Sequence, residues 1–169
     1  TILTIITAPD PRLRVISEPV DQISNKDKTL MNDMLETMYS APGVGLSAIQ
    51  VGIAKRIIVI DTAGQNEKPE PLKIINPKFI SKSETTEIKE EGCLSFPEHY
   101  VEVKRSKNIK IECLNENGDR QYIEASGFKA IALQHEIDHL DGKLLIDNLS
   151  SLKRSILLRK MKKHKNNNN

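Results

Sequence analysis

Hydrophobic residues recur at helical spacing in three separate stretches of the chain. In residues 27–39, one face of the predicted helix carries the apolar side chains Leu30, Met31, Met34, Leu35 and Met38. A second helical pattern begins at Ser126 and stops near Gly142, and a third covers about residues 150–163. The pattern therefore predicts one helix near each end of the chain and one helix late in its middle.

The remaining apolar residues are arranged as strands. Residues 56–60 form a short apolar run that is typical of a buried strand. Further strands are predicted at residues 72–75, 79–89, 100–103, 108–114 and 120–125. Asn117 and Gly118 lie between the last two and favour a tight hairpin turn. Strands gathered in the middle of the chain, with helices on either side, predict an α+β domain.

Composition narrows the class of protein. A chain of 169 residues suits one domain, which we assign to residues 1–165, and we expect the Asn tail at 166–169 to be disordered. The formal net charge is only +2, so DNA is not an expected partner. No apolar stretch approaches the roughly 18 to 20 residues that cross a bilayer, and two cysteines are too few for a disulfide framework. We expect a cytoplasmic protein without a membrane partner.

A candidate metal-binding motif lies in the second predicted helix. His135 and His139 are four residues apart, so both imidazoles lie on one helical face and can reach one metal ion. Glu136 lies at an angle to this pair and is placed to take a proton from metal-bound water, whose pKa a metal lowers to about 7. The motif therefore predicts a metal-dependent hydrolase with Glu136 as its general base.

The alternative is that these histidines lie on the surface of an ordinary helix. Phe128, Ile131 and Leu140 predict instead that the helix faces the protein interior, where unpaired polar groups are costly. A structural metal site in a binding module is a further alternative, and it would need a fourth protein ligand.

A catalytic site of this kind needs a third protein ligand. No Glu follows Glu136, which excludes the arrangement of thermolysin-like metalloproteases, and Leu145 stands where a metzincin has its third histidine. The remaining candidates lie on both sides of the motif: Cys93, His99, Cys113, Asp141, Asp147 and His164. Cys113 belongs to an alternating strand and is expected in the core. We favour Cys93, because Gly92 and Pro97 place it in irregular backbone, with His99 as its main competitor.

Three separated segments of the chain resemble the motifs of the peptide deformylase family. The family patterns are GxGLAAxQ, EGCLS and QHExDHL, and here residues 43–50 read GVGLSAIQ, residues 91–95 read EGCLS and residues 134–140 read QHEIDHL. The resemblance covers about residues 4–150. Ser47 departs from the pattern, since the family usually carries Ala there. We predict that residues 43–50 form a loop, and we expect the Ser47 hydroxyl to alter packing behind it and to touch no catalytic role.

The resemblance implies an α+β fold in which antiparallel sheets surround a central helix that bears the HExxH motif, with an N-terminal and a C-terminal helix. It also implies removal of the N-formyl group from the N-terminal formyl-methionine of newly made polypeptides, with release of formate. Cys93, His135 and His139 would bind one divalent metal ion. Fe(II) is expected natively, and Zn, Ni or Co can take its place in the isolated protein. The runner-up activity is a metallopeptidase that cuts internal peptide bonds.

The same resemblance assigns the catalytic steps. Metal-bound water, deprotonated by Glu136, would attack the formyl carbon, and Glu136 would then protonate the leaving amine. The side-chain amide of Gln50 and the backbone N–H of Leu94 would stabilise the oxyanion.

Substrate contacts are predicted on either side of this site. A peptide that binds as an added strand would meet Val44, Gly45 and Gly92. The methionine side chain needs an apolar pocket, for which the predicted walls are Val44, Phe128, Ile131 and Ala132.

The last predicted helix is strongly basic. Its cationic residues are Lys153, Arg154, Arg159, Lys160, Lys162 and Lys163. Such a run is ordinarily a solvated face. The alternative, which the family resemblance suggests, is contact with ribosomal RNA near the nascent chain.

Overall fold

The computed structural model describes the backbone of residues 1–167 and the side chains of residues 1–163. Its helices are α1 (Asn25–Ser40), α2 (Gly127–Leu140) and α3 (Ser151–Asn167). Its strands are β1 (Gly45–Ser47), β2 (Ile57–Ile60), β3 (Leu72–Lys82), β4 (Thr86–Cys93), β5 (Phe96–Ser106), β6 (Asn108–Leu114) and β7 (Arg120–Ser126). Short 3-10 turns occur at Pro11–Arg14, Ala48–Val51 and Leu145–Asn148.

The strands form two antiparallel sheets around α2. Five of them pair in the order β1-β2-β3-β6-β7, and β4 pairs with β5 as a separate hairpin. Helix α2 contacts β1, β2, β6 and β7 of the first sheet and β5 of the second, so it lies between them. The α+β fold, its central HExxH helix and its two terminal helices are confirmed.

Strand β2 lies between helices α1 and α2 and packs against both. Its side chains alternate, so that Ile58 and Ile60 pack with α2 whereas Ile57 and Val59 pack with α1. All four are buried, because the strand has a helix on each face. The methionines of α1 fill the core on their side of the sheet, as the sequence predicted.

The C-terminal end of α2 is held by arginine contacts. Arg56 donates to the carbonyl of Leu140 at 3.2 Å and to the carboxylate of Asp141 at 3.0 Å. Gly142 follows with a φ of +72°, and a Cβ there would lie 2.5 Å from the carbonyl oxygen of Arg14. Only glycine fits this position after the helix, because the chain passes close to the backbone of Arg14 and φ is positive.

Some predicted boundaries are wrong. The strand expected at residues 79–89 is two strands in different sheets, because a turn at Ser83, whose hydroxyl donates to the carbonyl of Thr85, separates β3 from β4. Strand β1 lies where a loop was expected. Phe128 was expected to face inward, but it lies in the first turn of α2 and is 55% exposed.

Two further predictions concern the Asn tail and membrane-spanning segments. Helix α3 includes Asn166 and Asn167, and residues 168 and 169 lie outside the described residues, so the disorder expected for the tail stays a prediction. Within residues 1–167, no helix combines the length and the apolar character that crossing a membrane requires.

Candidate metal centre

The structure brings together three of the residues that the sequence proposed as metal ligands. The thiol of Cys93 and the imidazoles of His135 and His139 place their ligand atoms within 4.8 Å of one another. We call these three residues the ligand group. The Cys93 sulfur lies 3.3 Å from Nε2 of His139. One sulfur and two imidazole nitrogens form a donor set that suits zinc, iron, nickel or cobalt.

Local structure explains why these side chains meet. The two histidines lie one turn apart on α2, with ring centroids 5.0 Å from each other. Cys93 ends β4, where the pairing register with β5 shifts after Gly92 and a turn at Leu94 and Ser95 follows. The register shift therefore presents the thiol of a hairpin tip to the buried face of α2.

The competing ligands lie elsewhere. Cys113 is 2% exposed in the core, where burial, with a contribution from Glu112, raises its pKa to about 11. Asp141 pairs with Arg56 and Asp147 pairs with Arg14. His99 lines the cavity described below but is not part of the ligand group. The side chain of His164 lies outside the described residues.

His135 is oriented by a buried ionic network that the sequence analysis missed. Its Nδ1 lies 3.1 Å from Glu91, and Arg105 donates to both oxygens of that carboxylate at 3.0 and 3.1 Å. Arg105 also donates to Asp138. Burial alone would raise the pKa of Glu91, but the bonds from His135 and Arg105 lower it. An ionised carboxylate only accepts, so His135 donates from Nδ1 and its Nε2 stays available to a metal.

The signal for this network lay inside the recognised motifs. Glu91 precedes Gly92 and Cys93 in the second motif, and Asp138 precedes His139 in the third. Without the fold, neither carboxylate has an identifiable partner, since Arg105 lies on a different strand.

We expect removal of Arg105 to be strongly destabilising. In Arg105→Met, the buried carboxylate of Glu91 loses its counter-ion, which costs about 3 to 5 kcal/mol of unfolding free energy, and the partly exposed carboxylate of Asp138 loses the same partner. Urea unfolding followed by circular dichroism measures this loss. Arg120→Met is the matched control, because that exposed arginine pairs with Glu112 on the surface and should cost less than about 1 kcal/mol. Equal losses in the two variants would contradict the account.

Electrostatics favour a cation at the ligand group. Burial would lower the pKa of His135, but the negative charges of Cys93 and Glu136 outweigh burial and raise it well above its usual range. Burial, together with the charges of His135 and Arg105, lowers the pKa of His139, which keeps that imidazole neutral and able to bind a metal. The negative groups around His135 therefore favour a positive charge beside this imidazole, which a metal ion on Nε2 would supply in place of a proton.

Glu136 lies beside the ligand group. Its side chain is buried, and its Oε1 is among three buried side-chain atoms of the described residues that lack a hydrogen-bond partner, with Nδ1 of His139 and Oγ of Ser17. Burial raises the pKa of Glu136 to about 7. A carboxylate of this pKa, with a free oxygen, suits proton transfer near neutral pH.

Gln50 and Leu94 are neighbours of Cys93. The amide Nε2 of Gln50 is 3.5 Å from the Cys93 sulfur and 3.0 Å from the hydroxyl of Ser95. Gln50 is 1% exposed, in the 3-10 turn that follows β1, and Leu94 lies in the β4 to β5 turn. The structure thus places both residues next to the ligand group.

A cavity of about 630 Å³ opens beside these residues. Cys93, Leu94, His135 and Glu136 line it. So do the six residues for which the sequence predicted substrate contact, namely Val44, Gly45, Gly92, Phe128, Ile131 and Ala132. Of these six, Val44 and Phe128 are exposed, whereas Ile131 and Ala132 are buried. The cavity therefore has a buried apolar wall on α2 and an exposed apolar mouth.

The glycines of this cavity make room for neighbouring side chains. A Cβ on Gly45 would lie 2.7 Å from Oε2 of Glu136, and one on Gly92 would lie 2.8 Å from the ring of Tyr100. Both glycines were predicted to lie against the backbone of a bound peptide. The structure adds a requirement within the chain, because β1 must lie close against the carboxylate of Glu136.

Known proteins resemble this chain in sequence and in fold. The family model of polypeptide deformylases matches residues 2–155. A peptide deformylase of Pelagibacter ubique is 45% identical over 167 residues, 99% of this chain and 97% of the relative, and that of Rickettsia akari is 48% identical over 172 residues, 99% and 98% of the two chains. A crystal structure of peptide deformylase from Ehrlichia chaffeensis superposes with a TM-score of 0.94 at 37% identity and covers 99% of both chains.

Proposed function

The chain belongs to the polypeptide deformylase family, and from this premise we propose that it removes the N-formyl group from the N-terminal formyl-methionine of newly made polypeptides. The reaction is hydrolysis of the formyl amide, which yields formate and a free amine. The observation that carries the proposal is the convergence of Cys93, His135 and His139 in one ligand group. Cys93 and His135 line the cavity together with Glu136.

One divalent metal ion completes this site. Cys93, His135 and His139 would hold it, and we expect Fe(II) natively, with Zn, Ni or Co as replacements. A metal there supplies Lewis acidity, which activates water for attack and polarises the formyl carbonyl. A thiolate beside Fe(II) is prone to oxidation, which favours a reducing cytoplasm as the setting.

Glu136 moves the proton in this scheme. Its unpartnered Oε1 accepts the proton that the attacking water loses, and it then delivers a proton to the departing nitrogen. Burial holds its pKa at about 7, so neither transfer is strongly uphill near neutral pH. Gly45 leaves room for this carboxylate, because a Cβ at that position would lie 2.7 Å from its Oε2.

Gln50 and Leu94 stabilise the negative charge that develops on the formyl oxygen. One N–H of the Gln50 side-chain amide donates to Ser95 and holds the amide in place, and the other, which makes only a long 3.5 Å contact with the Cys93 sulfur, is the one offered to the formyl oxygen. Leu94 offers its backbone N–H from the turn that follows Cys93. Donors that are oriented before the reaction are most effective, because no reorganisation is needed as charge develops.

The peptide lies along the cavity with its first side chain inward. Ile131 and Ala132 form the buried wall for the methionine side chain, and Val44 and Phe128 cover it at the mouth. The backbone of residues beyond the first would extend along Val44, Gly45 and Gly92 as an added strand.

A two-peptide assay tests this function against its alternatives. The metal-loaded protein, kept reduced, is incubated with a formyl-Met peptide and with its unformylated twin. Deformylation predicts formate from the first peptide and an intact second peptide. Cleavage inside the unformylated peptide would instead support a metallopeptidase, and a tightly bound metal without either reaction would support a structural site.

We infer in addition that α3 contacts ribosomal RNA. Its apolar residues Leu157, Leu158 and Met161 pack on the core, whereas Lys160, Lys162 and Lys163 are exposed. Phosphate contacts of such residues weaken as salt rises.

Co-sedimentation with ribosomes at low salt tests this contact. Replacing Lys160, Lys162 and Lys163 by glutamine should reduce the bound fraction several-fold, because phosphate contacts are lost. The charge-matched control replaces three exposed lysines outside α3, namely Lys26, Lys28 and Lys68, and should leave binding largely unchanged. Equal loss in both triple variants would indicate only a dependence on net charge and would overturn the proposed contact.

A further inference from the structure

We propose that the Ser47 hydroxyl is a positioning group for catalysis, which holds and polarises the side-chain amide of Gln50. The inference rests on the proposed role of Gln50 in the reaction. It replaces the expectation that Ser47 affects only packing behind its loop, and it concerns a position where this chain departs from the usual pattern of its family.

The geometry of the amide is the first observation. Oε1 of Gln50 accepts two hydrogen bonds from Ser47, one from its backbone N–H and one from its hydroxyl, both at 3.0 Å. A backbone N–H can only donate, so the atom that faces it is the amide oxygen. The nitrogen of the amide therefore points the other way, toward Cys93 and Ser95.

The backbone beside the amide is held in place, so the hydrogen bonds of the Gln50 side chain decide where its amide points. The carbonyl of Gln50 accepts from the N–H of Ile6 at 2.7 Å, and the carbonyl of Ser95 accepts from Ala8 at 2.9 Å. The N-terminal segment thus fixes the backbone on both sides of the amide. Ser47 is fully buried, so no solvent competes for the bonds it makes to Oε1.

The hydroxyl has two effects on the amide. It adds a second anchor to Oε1, which restricts rotation of the side chain about its last torsion. It also draws electron density toward the oxygen, which makes the N–H groups of the same amide stronger donors, since linked hydrogen bonds reinforce each other in a low-dielectric interior. Both effects strengthen the donor that Gln50 directs toward the ligand group.

Ser47→Ala tests the inference with little risk to the fold, because the backbone N–H still satisfies Oε1. We expect kcat for a formyl-Met peptide to fall about three- to tenfold, the effect of one buried hydrogen bond, with KM unchanged. Ser17→Ala is the matched control. Ser17 is also buried, and its hydroxyl lacks a hydrogen-bond partner among the described residues, so kcat should stay the same.

A double-mutant cycle separates this inference from the proposed function. In a Gln50→Ala background, Ser47→Ala should have no further effect on kcat, because the group it positions is gone. An equal effect in both backgrounds, or none in either, would overturn the positioning role. If Gln50→Ala itself leaves kcat unchanged, the proposed role of Gln50 fails first, and the inference fails with it.

A spectroscopic measurement gives a readout other than activity. In the zinc-loaded protein, which is diamagnetic, the side-chain ¹H and ¹⁵N resonances of the Gln50 amide report the bonds made by its oxygen. We expect them to shift in Ser47→Ala and to remain in place in Ser17→Ala. Unchanged Gln50 resonances in Ser47→Ala would contradict the proposed polarisation.

Discussion

Replacing Glu136 by glutamine is expected to lower kcat for a formyl-Met peptide by about 10²- to 10⁴-fold, while the protein keeps its metal. Glutamine has nearly the shape of glutamate but neither accepts nor delivers the proton. Glu136 is not part of the ligand group formed by Cys93, His135 and His139, so metal content should not change. Steady-state kinetics and metal analysis of the same preparation measure both quantities.

The matched control is Glu102→Gln, which removes one carboxylate from an exposed position on β5. A surface change of this kind should alter kcat by no more than about twofold. A Glu136→Gln variant that retained more than about a tenth of the wild-type kcat would contradict the assignment, because general acid–base catalysis supplies a larger factor than that.

Replacing Cys93 by alanine is expected to abolish tight metal binding and, with it, hydrolysis. The remaining pair of imidazoles forms an incomplete site, and the sulfur that lies 3.3 Å from His139 is lost. Metal content after gel filtration, measured in protein kept reduced, should fall from about one ion per chain to a small fraction of that.

Cys113→Ala is the control for the loss of a thiol. Cys113 lies on β6 and packs in the core with residues of α2. Its replacement should cost roughly 1 kcal/mol of unfolding free energy, while the metal content stays near one ion per chain. If Cys93→Ala kept its metal, a different third ligand would be required, and His99, which lines the same cavity, would be the next residue to replace.

Local sequence predicted which candidate metal ligands converge, because they belong to local motifs. The i to i+4 spacing of His135 and His139 determines their geometry once the helix forms. The irregular backbone around Cys93 favoured it over Cys113, whose strand alternation indicated the core. Both expectations agree with the structure, which places Cys93 with the histidines and buries Cys113.

The parts that were missed depend on pairings between distant segments. Arg105 meets Glu91 and Asp138 only because β5 lies beside β4 and beside α2. Strand β1 was read as a loop, since three residues give no periodic signal, and its pairing with β2 decides its structure. Ser47 and Gln50 are close in sequence, but their contact bears on the site only because the Gln50 amide also contacts Cys93 and Ser95, which come from another part of the chain.

Phe128 illustrates a limit of helical periodicity. Its apolar side chain fits the spacing of the buried face of α2, yet it is 55% exposed. The reason is its position in the first turn of α2, at the N-terminal end of the helix. At that place the side chain lies at the mouth of the cavity, where a bound peptide could cover it.

The most direct test of the whole account is to follow oxygen from water. The metal-loaded protein is incubated with a formyl-Met peptide in H₂¹⁸O, and formate and peptide are analysed by mass spectrometry. Attack of water on the formyl carbon predicts one ¹⁸O atom in formate and none in the peptide, which gains only a free amino terminus. Appearance of ¹⁸O in a new peptide carboxylate, without labelled formate, would contradict the account.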